Sequence, residues 1–108
     1  MALYVLLMKE VCILNGKEKL LYLIKRYKSG DYSTDCFCSL YTNTFNHETD
    51  DSNFTDEEWE LFEQLMRITS RYSPYDEDFI KYPDAYNNAE VVNNALFKLC
   101  EYLQLLEV

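Results

Sequence analysis

The sequence predicts an all-α fold, a small bundle of four to five helices, and three observations carry that prediction. Only two Gly and two Pro occur in 108 residues, too few for the turns of a β-sandwich or barrel. Apolar side chains recur at helical spacing in successive windows along the chain. Helix-capping signals stand between those windows. Hydrophobic residues make up 48% of the chain and aromatics 16%, enough to fill one core without metal or disulfide staples. The length is that of a single domain, residues 1–108.

Residues 3–14, LYVLLMKEVCIL, are apolar on nearly every side, so periodicity alone does not separate a buried helix from a strand, and a helix is favoured. The stretch lacks a basic start and a small-residue cleavage site, and it carries Lys9 and Glu10 in its middle, so it does not match a targeting peptide. It is also too short to span a bilayer. From Lys17, the residues Leu20, Leu21, Leu23, Ile24 and Tyr27 define a helical stripe. Lys28, Ser29 and Gly30 stop it, with bases in the last turn and a glycine for the left-handed cap.

Ser33 or Thr34 caps the next helix, in which Phe37, Leu40, Tyr41, Thr44 and Phe45 form the stripe and Asp35 complements the helix dipole. That helix is expected to end near His47, and NHETDDSN, residues 46–53, reads as an exposed loop. Thr55 followed by Glu58 is a capping box, and Phe54 with Trp59 forms a hydrophobic staple. Trp59, Leu61, Phe62, Leu65, Met66, Ile68 and Tyr72 point inward, with Glu60, Glu63, Gln64 and Arg67 outward. Ser73 and Pro74 read as a cap plus first-turn proline for a short helix carrying Phe79, Ile80 and Tyr82 and ending at Pro83. Asn87 or Asn88 caps a last long helix with Val92, Leu96, Leu99, Leu103 and Leu106 inward, widened by Val91, Ala95 and Tyr102.

Net charge is −9, and it is unevenly distributed. Residues 1–30 hold six bases against two acids, while the rest of the chain holds four bases, Arg67, Arg71, Lys81 and Lys98, against seventeen acids. Such a surface repels phosphate backbones and anionic membranes and steers basic partners toward itself. Direct nucleic-acid binding is therefore disfavoured. Cys12, Cys36, Cys38 and Cys100 follow no secretory signal, and they read as reduced thiols of a cytoplasmic protein.

No constellation for catalysis stands out. His47, the single histidine, has no Ser or Cys partner motif and suits the C-terminal end of a helix. On a helix Cys36 and Cys38 point about 200° apart, which disfavours zinc binding with His47. Asp76, Glu77 and Asp78 lack the alternating oxygen ligands and central glycine of a calcium loop. The expectation is a binding protein without catalytic residues, metal or cofactor. Acids at two helix starts explain part of the carboxylate content. Asp56, Glu57, Glu60, Glu63, Asp76, Glu77 and Asp78 together exceed what two caps require, and they are the candidate partner-binding residues.

The segment RYSPYDEDFIKYP, residues 71–83, resembles a motif of the immunity proteins of colicin D and of related contact-dependent growth inhibition systems: an Arg-aromatic-Ser/Pro stretch, an acidic turn and a Tyr-Pro after a long helix. Upstream, KRYKSGDYSTDCFCSLYTNTFN resembles the first part of the same family. The likeness covers roughly residues 19–101, and residues 1–16 depart from it. It implies a small helical protein that binds the nuclease domain of a toxin, often a tRNase, and occludes a cleft built for phosphate. By that likeness Asp76, Glu77 and Asp78 contact the toxin, with Asp56, Glu57, Glu60 and Glu63 beside them. Arg71, Ser73, Pro74, Tyr82 and Pro83 shape the turn, and an internal pairing of Asp78 with Arg71 would take Asp78 out of the contact. The charge distribution agrees, because fixed carboxylates match the Lys and Arg of an RNA-cleaving groove. Two other classes are an acidic adaptor or DNA-mimic inhibitor of another basic protein, and a helical enzyme or metal protein using His47 and the thiols.

Overall fold

The computed structural model describes residues 15–103, so the apolar opening 3–14 and Leu106 lie outside the described residues. The fold is all-α: helices α1 (Gly16–Lys28), α2 (Thr34–Glu48), α3 (Asp56–Thr69), the short α4 (Asp76–Lys81) and α5 (Ala89–Leu103), with a 3-10 turn at Asp51–Asn53 between α2 and α3. Helix α1 packs on α2, α2 on α3, and α3 on α5. Tyr27 closes the set, since its hydroxyl donates to Asn93 Oδ1 on α5 at 2.8 Å and lies 2.8 Å from Thr34 Oγ1 at the start of α2.

The helix ends follow local rules. Asn15 caps α1 through Oδ1, which accepts from the Glu18 amide at 2.8 Å. At the other end Gly30 takes φ 85, the Gly30 amide donates to the Tyr27 carbonyl, and the Asp31 amide donates to that of Arg26. This pair of bonds is a Schellman motif. Of the two candidates for the α2 cap, Ser33 fills the place, its Oγ accepting from the Cys36 amide at 3.1 Å. Helix α2 runs one residue past His47, and the segment expected as a loop contains the 3-10 turn. Asn88, rather than Asn87, caps α5 by accepting from the Val91 amide at 3.1 Å.

Four helices share one core: Leu20 and Ile24 from α1, Phe37, Cys38, Tyr41 and Phe45 from α2, Phe62 and Leu65 from α3, and Val92, Leu96, Leu99 and Cys100 from α5. Each such aliphatic or aromatic side chain contributes about 1.5–3 kcal/mol by leaving water. Aromatic rings run through the interfaces, Tyr27 stacked on Phe37 at 4.4 Å and Phe45 against Trp59 at 4.9 Å. The buried Tyr41 hydroxyl donates to the Phe62 carbonyl at 2.9 Å, and burial holds its phenol in the neutral form by raising its pKa well above the usual value. Two stripes differ from expectation. In α2 the inward place expected for Leu40 belongs to Cys38, with Leu40 exposed; in α5 Cys100 is buried, and Val91 and Tyr102 are exposed.

Gly16 marks the closest approach of α1 to α2. A Cβ there would run into the Glu48 carbonyl and the Thr49 side chain, so only glycine lets the start of α1 meet the end of α2. Lys19 Nζ reaches Glu48 Oε1 at 2.5 Å across the same junction.

Candidate partner-binding surface

Much of the positive charge of α1 is used within the molecule. Lys17 Nζ donates to Glu58 Oε2 at 2.8 Å, Lys19 pairs with Glu48, and Arg26 pairs with Asp31 at 3.1 Å. Glu58, Glu48 and the linker residue Asp31 are thereby neutralised locally, whereas Asp76 and Glu77 make no ion pair among the described residues.

At the start of α3 the third acid of the run Asp56-Glu57-Glu58 is structural. Glu58 Oε1 accepts from the Thr55 amide at 2.9 Å while Thr55 Oγ1 accepts from the Glu58 amide at 3.1 Å, which completes the capping box. Phe54 meets Trp59 edge-on at 5.3 Å, the expected staple. The hydrogen bond from Lys17, reinforced by that from the Thr55 amide, lowers the Glu58 pKa below the ordinary carboxylate value. Asp56 and Glu60 are exposed, and neither makes an ion pair among the described residues. Glu57, also exposed, accepts from the Tyr102 hydroxyl at 2.9 Å. Glu63 pairs with Arg67 at 2.5 Å, one turn along the helix.

The second group sits on an excursion between α3 and α5. Tyr72 and Asn87 form an isolated bridge, with the Asn87 amide donating to the Arg71 carbonyl at 2.8 Å and the Ser73 amide to the Asn87 carbonyl at 3.0 Å. Asn87 Nδ2 also donates to the Ile68 carbonyl at 3.2 Å, which ties the base of the excursion to the end of α3. Helix α4 begins at Asp76 with Tyr75 in the N-cap place and no side-chain cap, so Ser73 and Pro74 are not its cap and first-turn proline. The closed bridge holds Ser73 inward instead: it is buried, its Oγ donates to Asp78 Oδ2 at 2.5 Å, and it accepts from the Tyr75 amide at 3.1 Å. Asp78 is therefore engaged internally through Ser73, not through Arg71. Asp76 and Glu77 are exposed, without ion pairs among the described residues.

Asp56, Glu57, Glu60 and Glu63 lie along α3 from its first turn to its middle, and Asp76, Glu77 and Asp78 lie on an excursion tethered to the C-terminal end of that helix. Among the supporting residues named from the 71–83 motif, Ser73 has the architectural place expected of it, whereas the Tyr82 side chain is half exposed.

One feature had no counterpart among the sequence candidates. No residue of α4 is buried, and Tyr75, Ile80 and Tyr82 are 62%, 82% and 51% exposed. The signal available in the sequence was the brevity of the apolar run around Phe79-Ile80, since a helix of one and a half turns has no room to repeat an inward stripe. Phe79 turns toward Tyr86, ring centroids 6.5 Å apart, and Ile80 is left outside.

The rival chemistry has a definite setting. His47 lines an open polar groove of about 400 Å³ with Asp35, Ser39, Thr42, Asn43 and Ser70, and the Thr42 and Thr69 hydroxyls are joined across it at 2.8 Å. Cys38 borders that groove, and burial, with the Asp35 charge, pushes its thiol up to about 12, far from the thiolate a nucleophile or metal ligand requires. Among the described residues no group of three or more His, Cys, Asp or Glu is placed to hold a metal ion, and no helix is long and apolar enough to cross a membrane.

The fold and surface together define a small all-α protein with exposed carboxylates on two helices that make no ion pair among the described residues. No protein-family model matches the chain, nor does any curated protein or solved structure.

Proposed function

We propose that this chain is an immunity protein, a cytoplasmic inhibitor that binds and neutralises a cognate nuclease toxin, of the tRNase kind, through its acidic surface. The observation that carries this role is the exposure of Asp76 and Glu77 without cationic partners among the described residues, on a helix whose base is fixed by the Tyr72–Asn87 bridge and the Ser73–Asp78 hydrogen bond. Unpaired carboxylates on a fixed scaffold raise the association rate with a basic cleft and can occupy phosphate subsites there. Asp56, Glu57 and Glu60 extend the field along α3. The resemblance of residues 71–83 to the colicin D and contact-dependent growth inhibition immunity proteins supports the same role. Inhibition of this kind needs neither catalysis nor cofactor.

The test uses the purified product of the adjacent gene, which this reading expects to carry a nuclease domain. Asp76→Lys combined with Glu77→Lys is expected to keep the helical circular dichroism, slow association by at least tenfold at low salt, flatten its salt dependence, and abolish protection of cells expressing the toxin. Full protection by that double variant would remove the acidic surface from the mechanism. Capture of a basic DNA-binding protein, with no binding of the nuclease, would point to the adaptor or DNA-mimic class instead.

A further inference from the structure

We infer that the excursion 72–87 is a docking element whose apolar anchor is Ile80, inserted into an apolar recess bordered by Lys and Arg on the toxin. The assignment takes the toxin-binding role proposed above as its premise and names the site and its chemistry.

Three large apolar side chains stand in solvent within eight residues, Ile80 the most exposed of them, on a helix that gives nothing to the core. Clustered apolar exposure of this kind marks interaction surfaces, whereas singly scattered residues do not. Ile80 lies one helical turn beyond Asp76 and three residues beyond Glu77, so the anchor shares its face with the two unpaired carboxylates. With Asp76 and Glu77 one turn before Ile80, and Lys81 after it placed over the Tyr82 ring, the acidic side of this anchor fits a recess bordered by bases, and an anionic membrane would not favour it. Tyr75 and Tyr82 flank the helix at its two ends, and tyrosine is among the residues that most often carry binding energy at protein interfaces.

The element is also ordered before it meets anything. Ser73 and Asn87 close its base, and Phe79, Tyr82 and Tyr86 hold a small ring cluster, with Tyr82 and Tyr86 at 6.4 Å. A six-residue helix alone in water does not persist, so these tethers spare the entropy that a floppy loop would lose on binding.

The experiment measures binding kinetics of the purified product of the adjacent gene, the nuclease that the proposed role expects there, at two salt concentrations. Ile80→Ala is expected to speed dissociation by at least tenfold while association stays within threefold and its salt dependence is unchanged. Tyr75→Ala with Tyr82→Ala acts in the same direction, and Phe97→Ala, on α5 and about as exposed as those two tyrosines, changes nothing. Thermal midpoints within two or three degrees of wild type, roughly the shift of half a kcal/mol or less, establish that each variant is folded. Wild-type binding with Ile80→Ala and the double tyrosine variant within twofold overturns the docking element and leaves the immunity role standing. Failure of the wild type to bind the nuclease overturns both. A dimer of this chain in sedimentation that Ile80→Asp dissociates would seat a second copy on α4 and likewise overturn the assignment.

Discussion

Helices α3 and α4 start alike and end up as different kinds of object. Each opens on three consecutive acids, Asp56-Glu57-Glu58 and Asp76-Glu77-Asp78, and in each the third acid folds back to hold the chain before the helix. Glu58 receives the Thr55 amide, and Asp78 receives the Ser73 hydroxyl. The first acids of both runs remain in solvent. What separates the two is burial: α3 sends Phe62 and Leu65 into the core and gains a staple and an ion pair from Lys17, while α4 buries none of its residues. Matching electrostatics at a helix start therefore say little about what the helix is for. The apolar face decides whether it stabilises the fold or is held out for something else.

The largest test of that contrast is a pair of truncations. Phe62→Ala is expected to cost about 3–5 kcal/mol because a fully buried ring is lost. Ile80→Ala changes stability by no more than about 0.5 kcal/mol. Urea titrations followed by far-ultraviolet circular dichroism measure both, and comparable losses would break the comparison. Next in size is the cap. Thr55→Ala removes the acceptor for the Glu58 amide and costs about 1 kcal/mol in the same assay.

Acid sharpens the comparison further. The folded pKa of Glu58 lies below its unfolded value, so its contribution is fully present above the unfolded carboxylate value, near 4.3, and is lost as the pH falls through the lower folded value. Glu58→Gln is expected to flatten the fall in stability below about pH 4.5, the range set by that unfolded value; an unchanged slope would mean that other carboxylates account for it. The smallest effect belongs to Asp78→Asn. It weakens the tether of the excursion without touching the core, and is expected to raise amide exchange in residues 75–82 with global stability nearly unchanged. Unaltered exchange there would show that the bridge at Asn87 suffices.

How much of this was legible in the sequence depends on distance along the chain. The capping box, the staple and the Gly30 stop are decided by residues three to five apart, and they stand where expected. Ser73 and Pro74 carried the same local signature as a helix start, but pairing of Tyr72 with Asn87, fifteen residues away, sets the direction of the chain there and turns Ser73 inward. The partnership of Lys17 with Glu58 spans 41 residues and left no local trace. In α2 and α5 helical periodicity located most of each stripe but did not choose Cys38 over Leu40 or Cys100 over Tyr102. For the candidate acids, position in the sequence did not tell which were already in use: Asp78 and Glu63 have intramolecular partners, and Asp76 and Glu60 make no ion pair among the described residues.

Cys38 and Cys100 are buried, with their thiols pushed toward the protonated form chiefly by that burial, whereas Cys36, two residues from Cys38, is exposed. An alkylating reagent therefore meets Cys36 at once and must wait for the helices to part before it meets the other two. The chain carries its own clock for opening: the slow modification of those two sulfurs times the separation of α2 and α5 from the core, with no reporter residue introduced by mutation.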